Sequence, residues 1–214
     1  MPPPDDVIAL FLTGARVVAD ALADREVAAA WDRPSVLEGQ TVGGLAGHLA
    51  RGGIWVVGDY LDGPEPPGPV RFASAGDYFA TFVRTSTEEG NLAIRARGAS
   101  VAESGPAGVV AAVEDRLPAL GDRLHRAGAA RRLAVVAGSV MHLGDYLVTR
   151  IVEQTVHLDD LARSVGREPW PVPAAAVDLA LTVATEIGTA LHGGPAMLRA
   201  LYRDGSTAGV LPVL

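Results

Sequence analysis

Apolar residues recur at helical spacing through stretches of about twenty residues, and clusters of proline and glycine separate those stretches. Between Asp5 and Trp31, for example, Val7, Ile8, Leu10, Phe11, Val17, Val18 and Leu22 fall on one helical stripe, behind a proline run that Asp5 or Asp6 can cap. The pattern predicts a second helix from Thr41 to about Leu61, a third from Ser74 to about Ala96, and a fourth from about Pro106 to Ala127, with Pro118 as a kink or break. A short extended piece is expected from Arg132 to Gly138. A further helix follows from about His142 to Val165, stopped by Gly166. The last runs from about Ala174 to Leu191 and resumes briefly to Arg203 beyond Gly193-Gly194-Pro195. Residues 62–73 hold too much proline and glycine for regular structure. Long helices on short or proline-rich connections describe an all-α antiparallel bundle.

Composition agrees. Of 214 residues, 49% are apolar but only 5% aromatic, so one domain can bury a large core of small and branched aliphatic side chains. The formal net charge is −7 and every one of the 18 basic residues is arginine. Without a basic stripe, nucleic acid and anionic membranes are poor partners. No basic and apolar leader is visible at the start, and no charge-free apolar run approaches the roughly 18 to 20 residues needed to span a bilayer. A cytoplasmic protein is expected, and a homodimer is the protein partnership the reading admits.

Cysteine is absent. Thiol chemistry would therefore need a thiol from another molecule, and a metal site would need nitrogen and oxygen ligands.

Such ligands are present. In Arg150-Ile-Val-Glu153-Gln-Thr-Val-His157-Leu-Asp-Asp160, a carboxylate and an imidazole stand four residues apart, on one face of a helix. His48 lies in another helical segment. Two imidazoles and one carboxylate suit zinc with one coordination position open, although an isolated Glu–His pair is more often an ordinary helix contact. Glu153 to His157 lacks the first histidine of H-E-x-x-H, so no glutamate is placed as a metalloprotease base. No G-x-S-x-G elbow, dinucleotide fingerprint or P-loop occurs.

Arg150, one turn before Glu153, can reach its carboxylate; Asp160, three residues after His157, can accept the imidazole N–H that faces away from a metal. Arg51 can face the open position and bind substrate charge. Trp55 returns to the face of His48 and reads as core packing.

Two blocks carry a resemblance. The run Trp31-Asp-Arg-Pro-Ser-Val-Leu-Glu-Gly-Gln-Thr-Val-Gly-Gly-Leu-Ala-Gly-His48-Leu-Ala-Arg51 resembles the N-terminal signature of the mycothiol-dependent maleylpyruvate isomerase family, within the DinB-like superfamily. Asp145 to Ala162 resembles its second signature, and Ala200 to Arg203 with Gly209 to Leu214 is similar to endings among its members.

The resemblance implies a DinB-like four-helix bundle holding a divalent metal, usually zinc, on His48, Glu153 and His157. It also implies mycothiol as cosubstrate, activated for attack on a small electrophile. The family isomerase carries a further C-terminal domain that is not evident after this bundle, so the expected activity is thiol transfer or isomerisation on an unspecified electrophile. A metal-dependent hydrolase on the same bundle and a non-enzymatic binding protein are the alternatives.

Overall fold

A computed structural model describes residues 4–203 and Pro212, with side chains from Val7 onward. The Gly209 to Leu214 ending, Pro212 excepted, lies outside the described residues. The fold is an all-α bundle: α1 (Pro4–Leu22), α2 (Arg25–Ala29), α3 (Val42–Ala50), α4 (Val56–Asp62), α5 (Ala75–Thr85), α6 (Glu88–Ala102), α7 (Gly105–Ala127), α8 (Leu143–Val165), α9 (Ala174–His192) and α10 (Gly194–Tyr202). A small antiparallel hairpin, β1 (Arg132–Ala134) and β2 (Val140–His142), pairs Leu133 with Met141 just ahead of α8.

Helix ends follow local chemistry. Thr41 caps α3 by accepting the Gly44 N–H at 3.0 Å, and Ser74 caps α5 by accepting that of Asp77 at 3.2 Å. Gly166, at φ 73°, ends α8 in the left-handed region that a side chain would strain.

Four expected features need correction. The first helix does not run unbroken to Trp31: Asp24 accepts the Glu26 N–H at 2.8 Å and starts α2. It also begins at Pro4, ahead of both expected caps, and the side chains of Asp5 and Asp6 lie outside the described residues. The third helix breaks at Ser86, because Thr87 caps a new one by accepting the Gly90 N–H at 3.1 Å. The expected extended piece is a hairpin arm followed by a tight turn, with Ala137 at φ 53° and Gly138 at φ 72°. At Pro118 the chain does not break: α7 continues through it.

Between α3 and α4 the chain makes a π-helical turn, Arg51–Trp55, in which the Val56 N–H reaches back five residues to the Arg51 carbonyl. Pairing at that wider spacing leaves inner carbonyls for side chains of α8. Arg150 Nη1 donates to Gly52 O at 3.0 Å, and Gln154 Nε2 donates to Gly53 O at 3.0 Å.

Helix α8 is the hub. It packs against α1, α3, the π turn, α5 and α9, and its apolar positions Leu143, Leu147, Ile151, Leu158 and Leu161 are almost fully buried. The glycine-rich α3 sacrifices helix propensity, about 1 kcal/mol per glycine, for close approach. A Cβ on Gly43 would meet the Trp31 indole at 2.6 Å, and one on Gly47 would overlap the Gly98 carbonyl oxygen of α6. Backbone-to-backbone packing of α3 on α6 thereby fixes the helix that carries His48. By length and composition α9 could pass for a membrane span, but Asp178 and Glu186 interrupt it and it packs on α5 and α8.

Candidate metal centre

Five residues of α8 share a stripe at spacings of four, three, four and three: Tyr146, Arg150, Glu153, His157 and Asp160. Directly across from them, α3 presents His48. Its Nε2 lies 3.2 Å from Glu153 Oε2, and His157 Nε2 lies 3.4 Å from the same oxygen. The two imidazole planes stand nearly perpendicular, with centroids 5.0 Å apart. One donor atom from each of His48, Glu153 and His157 falls within 4.8 Å of the other two, and each side chain keeps about a fifth of its surface accessible. Two nitrogens and an oxygen converge on one point from two helices, 105 residues apart in sequence. As a donor set they fit a divalent cation.

Outer contacts hold these side chains in place. Asp160 Oδ2 takes the Nδ1–H of His157 at 3.0 Å. Burial favours the neutral imidazole, but the bonds to Asp160 and Glu153 outweigh it and raise the His157 pKa to about 9. Burial likewise opposes charge on Glu153, yet the hydrogen bonds of His157 and His48, with the Arg150 charge, hold its carboxyl well below the usual range. Glu153 is thus an anion and a competent ligand.

Arg150 is buried, with only the edge of its side chain reaching the cavity. Besides Gly52 O, its guanidinium donates from Nε to Thr149 Oγ1 at 2.9 Å, lies 4.8 Å from the centroid of the Tyr146 ring, and approaches Glu153 Oε1 at 4.0 Å. The π turn next to His48 therefore anchors the arginine whose charge favours ionised Glu153.

The centre borders a cavity of about 540 Å³. His48, Arg51 and Glu153 line it, whereas His157 reaches the cluster from behind and does not. Arg51, expected to face the open coordination position, is thus one of the cavity-lining residues. Two further arginines, Arg71 and Arg97, were not singled out from the sequence, nor were Tyr60 and Tyr78. Among the described residues, four arginines line the cavity against one carboxylate, Glu153, in a chain whose overall charge is −7. Tyr146, also missed, was accessible from the sequence because it sits seven residues before Glu153 on the ligand stripe. Burial pushes the Tyr78 and Tyr146 hydroxyls up, so both stay protonated. Trp55 packs against the core with the Arg116 guanidinium 4.5 Å from its ring centroid, as expected of a structural residue.

The profile of the mycothiol maleylpyruvate isomerase N-terminal domain matches residues 11–162. The chain belongs to that family. The matched span begins in α1 and ends near the close of α8, so it contains all three donors of the cluster, the π turn, and both residues that steady it, Arg150 and Asp160. In this family member the alternation of the α8 stripe and the glycine-rich α3 are one device, placing two histidines on a shared carboxylate. Comparisons with curated proteins and with solved structures give no match.

Proposed function

We propose that the protein is a metal-dependent thiol transferase or isomerase that uses mycothiol as cosubstrate and acts on a small anionic electrophile. Its metal, zinc on this donor set, would be held by His48, Glu153 and His157. The observation that carries the reading is the convergence of those donors beside an arginine-lined cavity, in a cysteine-free member of a mycothiol family. A divalent ion bound there supplies Lewis acidity, which lowers the pKa of a thiol brought to it.

The protein's own groups do the rest. Asp160 accepts the Nδ1–H of His157, so Nε2 is the nitrogen that faces the cluster and gives up its proton when a metal binds. The Arg150 charge, 4.0 Å from Glu153 Oε1, favours the ionised carboxylate. Arg51 anchors the negative charge of the electrophile, and Arg71 and Arg97 line the same cavity. Phe72 and Phe79 add apolar surface to the same cavity. In an addition, sulfur bonds to an electrophilic carbon of a double bond and the S–H proton passes to the neighbouring atom of the adduct; in a substitution, the bond from that carbon to the leaving group breaks and the leaving group departs with the proton; isomerisation requires the new carbon–sulfur bond to form and then break. On this reading the protein works in the cytoplasm, where such a thiol is found.

The test is thiol consumption by the metal-loaded protein, given mycothiol and a panel of carboxylated electrophiles, with His157→Ala as the control. Metal-dependent loss of thiol in the wild type alone supports the proposal. No consumption with any electrophile overturns it, and substrate loss with mycothiol left out points instead to a hydrolase.

A further inference from the structure

Besides metal donors and a cation, α8 brings a neutral hydroxyl to the cavity. Tyr146, two turns before Glu153, lines it together with Tyr60 and Tyr78. Its ring is the centre of that trio, 5.3 Å from the Tyr60 ring and 6.4 Å from the Tyr78 ring between centroids, and both meet it edge-on. The Arg150 guanidinium lies 4.8 Å from its centroid. Enclosed in this way, Tyr146 is only 2% exposed.

Its hydroxyl nonetheless has no hydrogen-bond partner among the described residues. The backbone of Tyr146 is engaged, its carbonyl accepting the Thr149 O–H at 2.6 Å, but the phenol is not. A buried tyrosine hydroxyl finds a partner as a rule. Phenylalanine would make the same ring contacts without stranding a donor, so packing does not account for the oxygen.

The surroundings of that oxygen fix where it points. The groups whose charges act on it are Arg150, Tyr60, Tyr78 and Glu153, and all four line the cavity. Along the α8 stripe only Arg150 stands between Tyr146 and the donor cluster, 4.8 Å from the one ring and 4.0 Å from Glu153 Oε1. The hydroxyl is therefore a free donor facing the space beside the metal centre.

Burial keeps it protonated. Carboxylates are better served by the charged groups Arg51, Arg71 and Arg97, which line the same cavity. A neutral donor suits an oxygen that is uncharged in the bound substrate and gains charge during the reaction. A carbonyl conjugated to the reacting carbon is such a group.

Resting on the thiol-transfer reading above, we infer that Tyr146 is a catalytic residue whose hydroxyl donates to the carbonyl oxygen of the electrophile. As the carbon–sulfur bond forms, the electron pair of the double bond moves toward that oxygen, and the hydrogen bond strengthens while Tyr146 keeps its proton. The proton lost from sulfur then closes on the carbon next to the carbonyl, and the carbonyl re-forms.

Titration calorimetry on the full-length, metal-loaded protein tests this with two unreactive acids: levulinate, which carries a ketone, and valerate, the same chain without it. Wild type should bind levulinate about tenfold more tightly, the order of one hydrogen bond. Tyr146→Phe keeps the ring and its neighbours, and should bind the two acids equally. In thiol-consumption kinetics, the ratio of kcat on a conjugated ketone to kcat on iodoacetate, where iodide leaves and no carbonyl oxygen gains charge, should fall about 100-fold in Tyr146→Phe. No preference for levulinate in wild type, a preference that persists in Tyr146→Phe, or an unchanged ratio of kcat values overturns the assignment. A preference abolished by Tyr146→Phe, without thiol consumption on any electrophile, would leave the carbonyl contact standing and remove the transferase reading.

Discussion

Asp160 Oδ2 stands 3.0 Å from Nδ1 of His157, on the ring nitrogen opposite the one that faces Glu153. The imidazole is thereby held in the tautomer and orientation a metal needs. Asp160→Ala should lower zinc affinity by about 10- to 100-fold in a chelator competition, with helical circular dichroism unchanged. Asp159→Ala, which loses only an exposed contact with Arg163, serves as the control and should bind like wild type. Equal affinities for the two variants would remove Asp160 from the site.

The metal-free protein should show a particular pH dependence of stability. The folded pKa of His157, about 9, lies above its ordinary value of 6.5. Its contribution is therefore complete below about pH 6.5 and lost as pH rises through about 9. Glu153 has the opposite sign: its folded pKa lies below 4.5, so its contribution is present above that pH and lost on acidification. Chemical denaturation of metal-free protein should accordingly find the pair most stabilising between about pH 4.5 and 6.5. Metal binding should run the other way, strengthening up to about pH 9 as the Nε2 proton of His157 becomes easier to displace. A metal-induced rise in Tm that stays constant from pH 6.5 to 9 contradicts this linkage.

How much of this was legible in the sequence depended on whether the information was local. The α8 stripe could be read from spacing because Arg150, Glu153, His157 and Asp160 are successive neighbours on one helix face. His48 could not be attached to that stripe by periodicity, since 105 residues separate it from Glu153; the resemblance supplied the link, and the direct packing of α3 on α8 is its physical basis. The π turn left no period of its own in Arg51-Gly-Gly-Ile-Trp55, because one wide turn shifts the register by a single residue. Arg71 and Arg97 were invisible for a similar reason. Each lies in a segment with no other candidate ligand, and only tertiary packing brings them to the cavity.

Arg51 and Arg150 make distinct predictions although both are arginines on the cavity wall. Arg51→Ala should raise KM for a carboxylated electrophile by about tenfold, the order of one charge-assisted hydrogen bond, with kcat and metal content nearly unchanged. Arg150→Met removes a buried cation from beside Glu153 and from the Gly52 carbonyl, so it should cost about 3–5 kcal/mol of stability. Steady-state kinetics and denaturant midpoints measured on both variants separate substrate binding from scaffold.

Gly98→Ala tests whether the closeness of α3 and α6 sets the geometry of the centre. In an open helix this substitution would stabilise by about 1 kcal/mol. Here the new methyl group falls 2.8 Å from the Gly44 carbonyl oxygen and 3.0 Å from His48 Cβ, and a backbone oxygen cannot swing aside as a flexible side chain would. The helices must separate, with a net loss of about 1–3 kcal/mol, and His48 must move with α3 while Glu153 and His157 stay on α8. Gly98→Ala should therefore weaken metal binding as well as stability, whereas Gly121→Ala, whose methyl would meet only Leu12 at 3.6 Å, should affect neither strongly. Metal titration and thermal unfolding of the two variants give the comparison. A Gly98→Ala protein with wild-type zinc affinity would show that His48 does not depend on this helix contact for its place in the cluster.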